Sequence, residues 1–298
     1  MSSSSLDAFL TARLGLPQPV AARLRALSAE SAGGPGVRDD AEAETDTPLP
    51  HQVPVGLLPP HAFPVACIFP DPLVDGGTST AAAAEVARLL RDQGSAGVLS
   101  YAAGARVVPS VRGDVSAWVV EGPDTVPVAI ATARALGCPA IAAVVGSWLP
   151  AAVGAMVSAG ILGPRQAQEV AVNVQATCYP AGSAGYARHR DSGPSVPGRL
   201  ASSAVYLGPR ERRHSDGGCL ELWPGTGGGL RRKKRARAGG EGGSAATVAL
   251  GPSLVVIPKG GRALAWAADT HHRVQATRAG GEPRYALSAF FLRGEKNV

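Results

Sequence analysis

The 298-residue sequence has few aromatic residues, which make up 5% of it, and only four cysteines. Cys67, Cys138, Cys178 and Cys219 are widely scattered and form no CxxC pair. This spacing argues against both a zinc knuckle and a disulfide scaffold, so we expect free thiols in a reducing compartment. We find no apolar run of the roughly 18–20 residues that a transmembrane helix needs.

The N-terminal stretch has no charged region followed by a dense apolar core, so we do not expect an ER signal peptide. Residues 1–30 are Ser-rich, contain arginines and have few acidic residues. An organellar transit peptide therefore stays open beside the simpler interpretation of a short amphipathic helix or a tail. Otherwise we expect a cytoplasmic or nuclear location.

The net charge of +6 has a local origin. Six of the 29 lysines and arginines lie in RRKKRAR, residues 231–237, and the 23 that remain equal the 23 acidic residues. Because glycines flank this stretch, we interpret 225–250 as a solvated basic insertion. The alternative is a nuclear-import or polyanion-binding segment, and any contact with nucleic acid is expected only through Arg231–Arg237.

Composition divides the chain into three parts. Residues 1–60 are rich in Pro, Ser, Ala and acids without apolar periodicity, which indicates a disordered or loosely packed extension. Residues 61–168 indicate a helical or mixed support region. Helices are predicted at 78–94, with Thr78 and Ser79 as cap candidates, and at 137–162, with a break near Pro150.

The third part, residues 169–298, changes to short β-type runs separated by Gly and Pro. Such runs without intervening helices are typical of an antiparallel sandwich or barrel, which can enclose one small ligand. The fold class predicted is therefore α+β. The predicted strands are EVAVNVQATCY, ASSAVYL, GCLELWPG, SLVVIPKG, RALAWAAD and RYALSAFFL.

Metal-binding residue types recur inside this β-region. His189 and Asp191 stand in YARHRD, and alternate residues of a strand share a face. His271 or His272, about eighty residues later, can supply a third ligand, and two His with one carboxylate are typical of non-haem Fe(II) oxygenases. Arg284 lies in an otherwise apolar strand, where a buried cation needs an anionic partner.

These segments carry a family resemblance. The stretch NVQATCYPAGSAGYARHRDSGPSVPGRLASSAVYL, then GGCLELWPG, HHRVQATR and PRYALSAFFL, resembles the double-stranded β-helix of 2-oxoglutarate- and Fe(II)-dependent prolyl 4-hydroxylases. VRGDVSAW adds similarity to the hypoxia-inducible-factor, oxygen-sensing branch. The resemblance covers roughly residues 75–294, without residues 225–250. It implies a jelly-roll core packed against N-terminal helices.

The resemblance also implies roles for individual residues. His272, followed after one residue by Val274, becomes the third metal ligand beside His189 and Asp191. Arg284 and Tyr206 would hold the distal carboxylate of 2-oxoglutarate, and Tyr179 would face the cosubstrate. Asp114, Arg199 and Trp118 would lie near the substrate, with Asp114 and Arg199 paired. The alternatives are core aromatics for the two tyrosines and surface charges for Asp114 and Arg199.

The implied activity is hydroxylation of a prolyl residue in an intracellular protein, with a possible role in oxygen sensing and the hypoxia response. The resemblance implies Fe(II), with 2-oxoglutarate and O2 as cosubstrates and ascorbate as the reductant. Two alternatives stay open. One is a 2-oxoglutarate oxygenase that acts on another side chain, a free amino acid or a nucleobase, and the other is a non-catalytic polyanion-binding module.

Overall fold

The computed structural model describes residues 66–68, 73–96, 98–101, 104–107, 111–193, 196, 198–223 and 254–294. The predicted extension at 1–60 and the predicted basic insertion at 225–250 lie outside these residues. The helices are α1 Gly76–Gln93, α2 Val126–Ala135, α3 Pro139–Ser158 and α4 Pro164–Glu169, with a 3₁₀ turn at His214–Asp216.

The strands are short, as the spacing of turn residues predicts. They are β1 Ala66–Ile68, β2 Ser95–Ala96, β3 Val98–Tyr101, β4 Gly104–Val107, β5 Val115–Thr125, β6 Ala171–Tyr179, β7 Tyr186–His189, β8 Arg199–Leu207, β9 Leu220–Trp223, β10 Leu254–Val256, β11 Ala263–Ala267, β12 His271–Val274 and β13 Arg284–Leu292.

These strands form two main antiparallel sheets. The major sheet has seven strands in the order β1-β11-β8-β13-β6-β5-β2, and the minor sheet has four in the order β10-β9-β12-β7. A separate hairpin joins β3 and β4. From β6 to β13 the strands alternate between the two main sheets, except that β9 and β10 are paired neighbours in the minor sheet, and this is the arrangement of a double-stranded β-helix. The predicted α+β class with a jelly-roll core is confirmed.

The major sheet has a different core on each face. Leu287, Ala289 and Phe291 of β13 are fully buried and belong to the larger core that contains the helices. Ala286, the alternate neighbour, belongs to a smaller core together with Leu222 of the minor sheet. Because strand side chains alternate between faces, β13 stabilises the helix layer and lines the space between the sheets at once.

Helix α1 begins earlier than the predicted Thr78. Asp75 is the N-cap, and its carboxylate accepts hydrogen bonds from the Thr78 amide at 2.9 Å and the Thr78 hydroxyl at 2.7 Å. Ser79, the other cap candidate, is fully buried, and its hydroxyl donates to the Gly208 carbonyl. The N-cap is therefore Asp75, whose negative charge also interacts favourably with the positive end of the helix dipole.

Helix α3 runs through Pro150 without interruption, so the predicted break is wrong. An internal proline costs about 3 kcal/mol because it removes a donor and crowds the preceding turn. Trp148, Leu149 and Met156 are fully buried, and each contributes about 1.5–3 kcal/mol by leaving water. Packing on this helix therefore outweighs the proline.

The N-terminus of α3 is capped from another helix. The carboxylate of Glu85 in α1 accepts from the amides of Ala140 and Ile141, at 3.2 and 2.8 Å.

Helix α3 is 20 residues long, with a mean hydropathy of 1.9 and 67% of its most apolar window buried inside the protein. It thus meets the length and apolarity of a membrane span, contrary to the sequence-based expectation, while serving as a central core helix.

The segment 61–168 contributes strands as well as helices. β1 pairs with β11, and β5 pairs with both β2 and β6. The three strands β1, β2 and β5 of this segment therefore belong to the major sheet. Helix α2 and strand β5 were not predicted, because VSAWVVEGPDT and VPVAIATARA carry only weak periodicity. Cys138, Cys178 and Cys219 are buried free thiols, in line with the expectation from their spacing.

Candidate metal centre

Two histidines lie side by side on neighbouring strands of the minor sheet. His189 ends β7, and its direct antiparallel partner on β12 is His272. The centroids of the two imidazole rings are 4.2 Å apart. The sheet register alone therefore brings together two side chains that lie far apart in the sequence.

The tautomer of each histidine follows from its hydrogen bond. His189 Nδ1 lies 2.8 Å from the Ala187 carbonyl oxygen, and His272 Nδ1 lies 3.0 Å from that of Thr270. Because a carbonyl only accepts, each Nδ1 carries the proton and donates it. The Nε2 lone pair of each ring is thus left available to a metal.

Asp191 completes the group just beyond the end of β7. Its Oδ1 lies 3.6 Å from His189 Nε2, and its Oδ2 lies 3.5 Å from His272 Nε2. The Ser202 hydroxyl donates to Oδ2 at 2.6 Å and fixes the carboxylate. One ligand atom from each of the three residues lies within 4.8 Å of the others.

The electrostatics favour the ligand forms of these groups. Burial alone would raise the pKa of Asp191, but His272, His189 and Ser202 hold it well below its usual range. Burial lowers the pKa of His272 to about 4, against the opposing charge of Asp191. A carboxylate and a neutral imidazole are therefore present at neutral pH. Two imidazole nitrogens and one carboxylate fit Fe(II) and leave coordination positions for other ligands.

His271, the other candidate, lies on the opposite face of β12. Burial and the nearby Arg188 and Arg190 lower its pKa. The guanidinium of Arg188 stacks over the Trp223 ring at 4.3 Å, on the outer face of the minor sheet. The structure thus brings His272, and not His271, to Asp191, and Arg188, which precedes His189, lies on the outer face of the minor sheet.

Arg284 is also buried between the two sheets, beside Tyr179 and Tyr206. It is the first residue of β13 and is 4% exposed, and its guanidinium carbon is 4.9 Å from the ring centroids of both Tyr179 and Tyr206. Within the described chain, neither the Arg284 Nε nor the Tyr206 hydroxyl has a hydrogen-bond partner. Buried polar groups are normally paired, so these two groups indicate a polar ligand between the sheets.

Both tyrosines stay protonated at neutral pH. Burial raises the pKa of Tyr206, although the nearby Arg284 opposes this effect. Burial and the charge of Asp114 likewise raise the pKa of Tyr179. The two hydroxyls can therefore act as neutral hydrogen-bond donors beside a buried cation, which suits a carboxylate ligand.

Asp114 does not pair with Arg199, so the expected pairing is wrong. Asp114 is 1% exposed, and its carboxylate accepts from Arg112 Nε at 2.6 Å and Nη2 at 2.9 Å. Arg112 Nη2 also donates to Gln175 at 2.8 Å. Burial would lower the pKa of Arg112, but the bond to Asp114 raises it above its usual value. Arg112, only two residues from Asp114 in the chain, thus takes up the carboxylate that was expected to bind Arg199.

Arg112 also connects to the metal centre. Its guanidinium carbon lies 5.2 Å from the Tyr186 ring, and the Tyr186 ring stacks on the His189 imidazole with 3.8 Å between centroids. Tyr186 is therefore a packing residue beside the ligands. Gly185, with φ of +79°, lets this strand approach β12, because a Cβ there would lie 2.2 Å from the Val274 carbonyl oxygen.

Arg199 and Trp118 share an aromatic neighbour. The guanidinium of Arg199 lies 3.9 Å from the Phe290 ring centroid, and Nη1 reaches the Asp191 carbonyl oxygen at 3.5 Å. Trp118 meets the same ring edge-on at 6.4 Å. Phe290 and Ser202 were missed from the sequence, since an apolar residue in a strand and one serine among several carry no specific signal.

The comparisons with known proteins agree with this geometry. Residues 174–292, from β6 to the end of β13, match the model of the 2OG-Fe(II) oxygenase superfamily. No curated protein sequence matches the chain significantly.

Three similar solved structures each share 21% identity or less with the chain and have TM-scores below 0.5. A Pseudomonas putida prolyl-4-hydroxylase has 17% identity and a TM-score of 0.46, covering 77% of this chain and 93% of that chain. A Trichoplax adhaerens prolyl hydroxylase, in complex with a hypoxia inducible factor oxygen degradation domain peptide fragment, has 21% identity and a TM-score of 0.46, covering 77% and 84%. A rice dioxygenase for auxin oxidation has 14% identity and a TM-score of 0.47, covering 80% and 76%. Residues 174–292 of this chain, which contain the His-Asp-His group, are therefore similar to the 2OG-Fe(II) oxygenase superfamily.

Proposed function

We propose that the protein is an Fe(II)- and 2-oxoglutarate-dependent dioxygenase that hydroxylates a prolyl residue of another protein. One observation carries the dioxygenase part of the proposal. The space between the sheets holds the group His189, Asp191 and His272. Arg284 and Tyr206 are also buried there, and the Arg284 Nε and the Tyr206 hydroxyl have no hydrogen-bond partner within the described chain.

His189, Asp191 and His272 would hold the iron. When bound, Fe(II) with O2 supplies the oxidising chemistry, in which 2-oxoglutarate is converted to succinate and CO2 and one oxygen atom enters a C–H bond. The chain contributes the neutral Nε2 of both histidines, fixed by the carbonyls of Ala187 and Thr270. Ascorbate is proposed as the reductant that maintains the ferrous state.

Arg284 and Tyr206 would bind the distal carboxylate of 2-oxoglutarate. The guanidinium supplies the opposite charge, the hydroxyl donates a hydrogen bond, and the Tyr179 ring forms a wall beside them. The buried surroundings, including Leu222, Leu264 and Trp266, exclude water and strengthen this interaction. The cosubstrate would thus be oriented with its keto acid toward the metal ligands.

The prolyl substrate is supported by the side chains near Asp191. Trp118 and Phe290 offer aromatic surface on which a pyrrolidine ring can pack, and Arg199 lies over Phe290 with a contact to the Asp191 backbone. Asp114, locked to Arg112, holds the start of β5 that leads to Trp118. A protein in the cytoplasm or nucleus with a reactive proline is the proposed partner, and oxygen sensing is the proposed role.

A spectroscopic titration tests the dioxygenase proposal. Anaerobic addition of Fe(II) and 2-oxoglutarate should give the weak visible charge-transfer band of a chelated keto acid, and His272→Ala should abolish it. His271→Ala is the matched control, because this neighbour faces away from Asp191, and the band should survive. A folded protein without the band, or a band that persists in His272→Ala, rules out the metal centre.

Mass spectrometry tests the prolyl proposal. A proteome incubated with the active protein should contain proline residues heavier by one oxygen atom that are absent after incubation with His272→Ala. If the added oxygen is found only on other side chains, on a free amino acid or on a nucleobase, the protein is an oxygenase of another specificity.

A further inference from the structure

A second arginine lies buried near Arg284. Arg212, between β8 and the 3₁₀ turn, is 8% exposed. Its Nη2 donates to the Glu282 carbonyl at 3.0 Å, and its Nη1 donates to the Pro283 carbonyl at 3.1 Å. These are the two residues that immediately precede Arg284, so the fork of Arg212 fixes the chain at the start of β13.

The segment after Arg212 packs on the Arg284 side chain itself. A Cβ built at Gly218 would lie 2.9 Å from Arg284 Cδ, so the backbone of this segment contacts the Arg284 stem directly. Cys219 lies within the electrostatic influence of both arginines. Burial raises the pKa of its thiol to about 11, and the charges of Arg284 and Arg212 oppose this rise. The two guanidinium groups therefore act on the same small region.

The charge of Arg212 is not matched by a carboxylate contact. No ion pair joins it to an acidic side chain within the residues that the structure describes, and its Nε has no hydrogen-bond partner there. Asp216 and Glu282 are the nearby acids. The Asp216 carboxylate accepts from the Arg213 amide at 2.8 Å, and Glu282 is exposed. Both arginines are thus buried, close together and short of a negative partner.

Two buried like charges repel each other, and an arrangement of this kind needs a compensating anion. Tyr206, with its unpartnered hydroxyl, lies against Arg284. A ligand carboxylate at this position would contact the Arg284 guanidinium directly and would also be attracted by the positive charge of Arg212. We propose that Arg212 supplies a second positive charge to the cosubstrate site, and that it selects keto acids with a second, distal carboxylate over those with one.

This inference rests on the proposed function, and two ligands separate its failure from that of the function. 2-Oxoglutarate and 2-oxopentanoate share the keto acid and the chain length, but only the first has a distal carboxylate. Their affinities can be measured by isothermal titration calorimetry on the whole protein, with Mn(II) in place of iron to prevent turnover.

Arg212→Met should weaken the binding of 2-oxoglutarate about tenfold and change that of 2-oxopentanoate by less than about twofold. Arg212→Lys, which keeps the charge but not the fork, should lose less affinity for 2-oxoglutarate than Arg212→Met. Arg213→Met is the matched control, because Arg213 is adjacent to Arg212 but its side chain is exposed. This variant should bind both ligands as the wild-type protein does.

Equal losses for both ligands would show that Arg212 only fixes the chain before Arg284, and would overturn the inference. An unchanged affinity for 2-oxoglutarate in Arg212→Met, or a Lys variant as weak as the Met variant, would overturn it as well. If Arg212→Met does not fold, Arg212→Gln, which also removes the charge but keeps a side-chain donor, takes its place in the same comparison of the two ligands. A wild-type protein that binds neither ligand contradicts the proposed function instead.

Discussion

His189 and His272 are direct cross-strand partners, and each imidazole donates its Nδ1–H to the carbonyl of the residue two positions earlier. The same local arrangement thus occurs on β7 and on β12. It leaves both Nε2 atoms beside the Asp191 carboxylate, at 3.6 and 3.5 Å. The metal ligands are therefore preorganised by backbone hydrogen bonds.

Ser202→Ala should weaken metal binding 10- to 100-fold, roughly the usual effect of losing a hydrogen bond to a metal ligand. The Ser202 hydroxyl donates to Asp191 Oδ2 at 2.6 Å and sets its orientation. Titration with Fe(II) or Co(II) measures the affinity. Ser203→Ala is the control, because this hydroxyl faces the helices, accepts from Trp148 and donates to Leu264. It should lower stability and leave the metal affinity unchanged, and equal metal affinities for the two variants would contradict the assignment.

Tyr206→Phe should lower the affinity for 2-oxoglutarate about tenfold without destabilising the protein. The hydroxyl is fully buried and has no partner in the described chain, so its removal eliminates an unsatisfied polar group. Thermal unfolding should show an unchanged or higher midpoint, and calorimetry should show the loss of affinity. A lower midpoint with normal binding would mean that the hydroxyl serves the fold and not a ligand.

Arg112→Met should destabilise the protein by about 3–5 kcal/mol, because it leaves the carboxylate of Asp114 buried and unpaired. Asp114 is 1% exposed and takes both of its side-chain bonds from Arg112. The double variant Arg112→Met with Asp114→Asn should recover part of the loss. Urea unfolding measures all three proteins, and a double variant less stable than Arg112→Met would contradict the explanation.

Glu221→Gln should reduce the loss of stability in acid. Glu221, on the outer face of the minor sheet, accepts from Arg273 and from Gln275. Burial alone would raise its pKa, but these bonds lower it below the ordinary value of 4.5. A lowered pKa in the folded state gives stability that is present above pH 4.5 and is lost as the pH falls through the folded pKa.

The stability of wild-type protein minus that of Glu221→Gln should therefore shrink below pH 4.5, by roughly 1 kcal/mol. Urea unfolding at several pH values measures it. Glu169→Gln, which removes an exposed ion pair with Arg165, is the control at a solvated site. A Glu221 difference that grows in acid would reverse the expected sign.

The sequence was most informative where chemistry needs unusual residue types. A histidine and an aspartate at alternate positions, a later histidine and an arginine inside an apolar strand are rare enough to predict the metal centre and the carboxylate site. Six of the strands followed from turn residues and β-branched runs. The β-core was therefore predictable from local pattern.

The rest depended on tertiary contacts that local pattern does not encode. Asp114 bonds to Arg112 because both are buried together, and the sequence equally allowed Arg199. Pro150 stays helical because its surroundings are fully packed. Arg212 is one of three arginines in PRERRH with no local pattern that separates it from the others, and only its contacts with residues 282–283 show that it is buried.

β7 is the last strand of the minor sheet, where its ladder partner is β12, and on its other side it is joined by an isolated bridge between Tyr186 and Arg112. An ion held by His189 and His272 would therefore crosslink β7 to β12 and close a loop of about eighty residues, which restricts the unfolded chain as a disulfide does. The metal is then a removable crosslink of the fold as well as a reaction centre. Chelation should make the chain around Tyr186 the first part of the β-core to exchange its amide protons and to be cut by proteases.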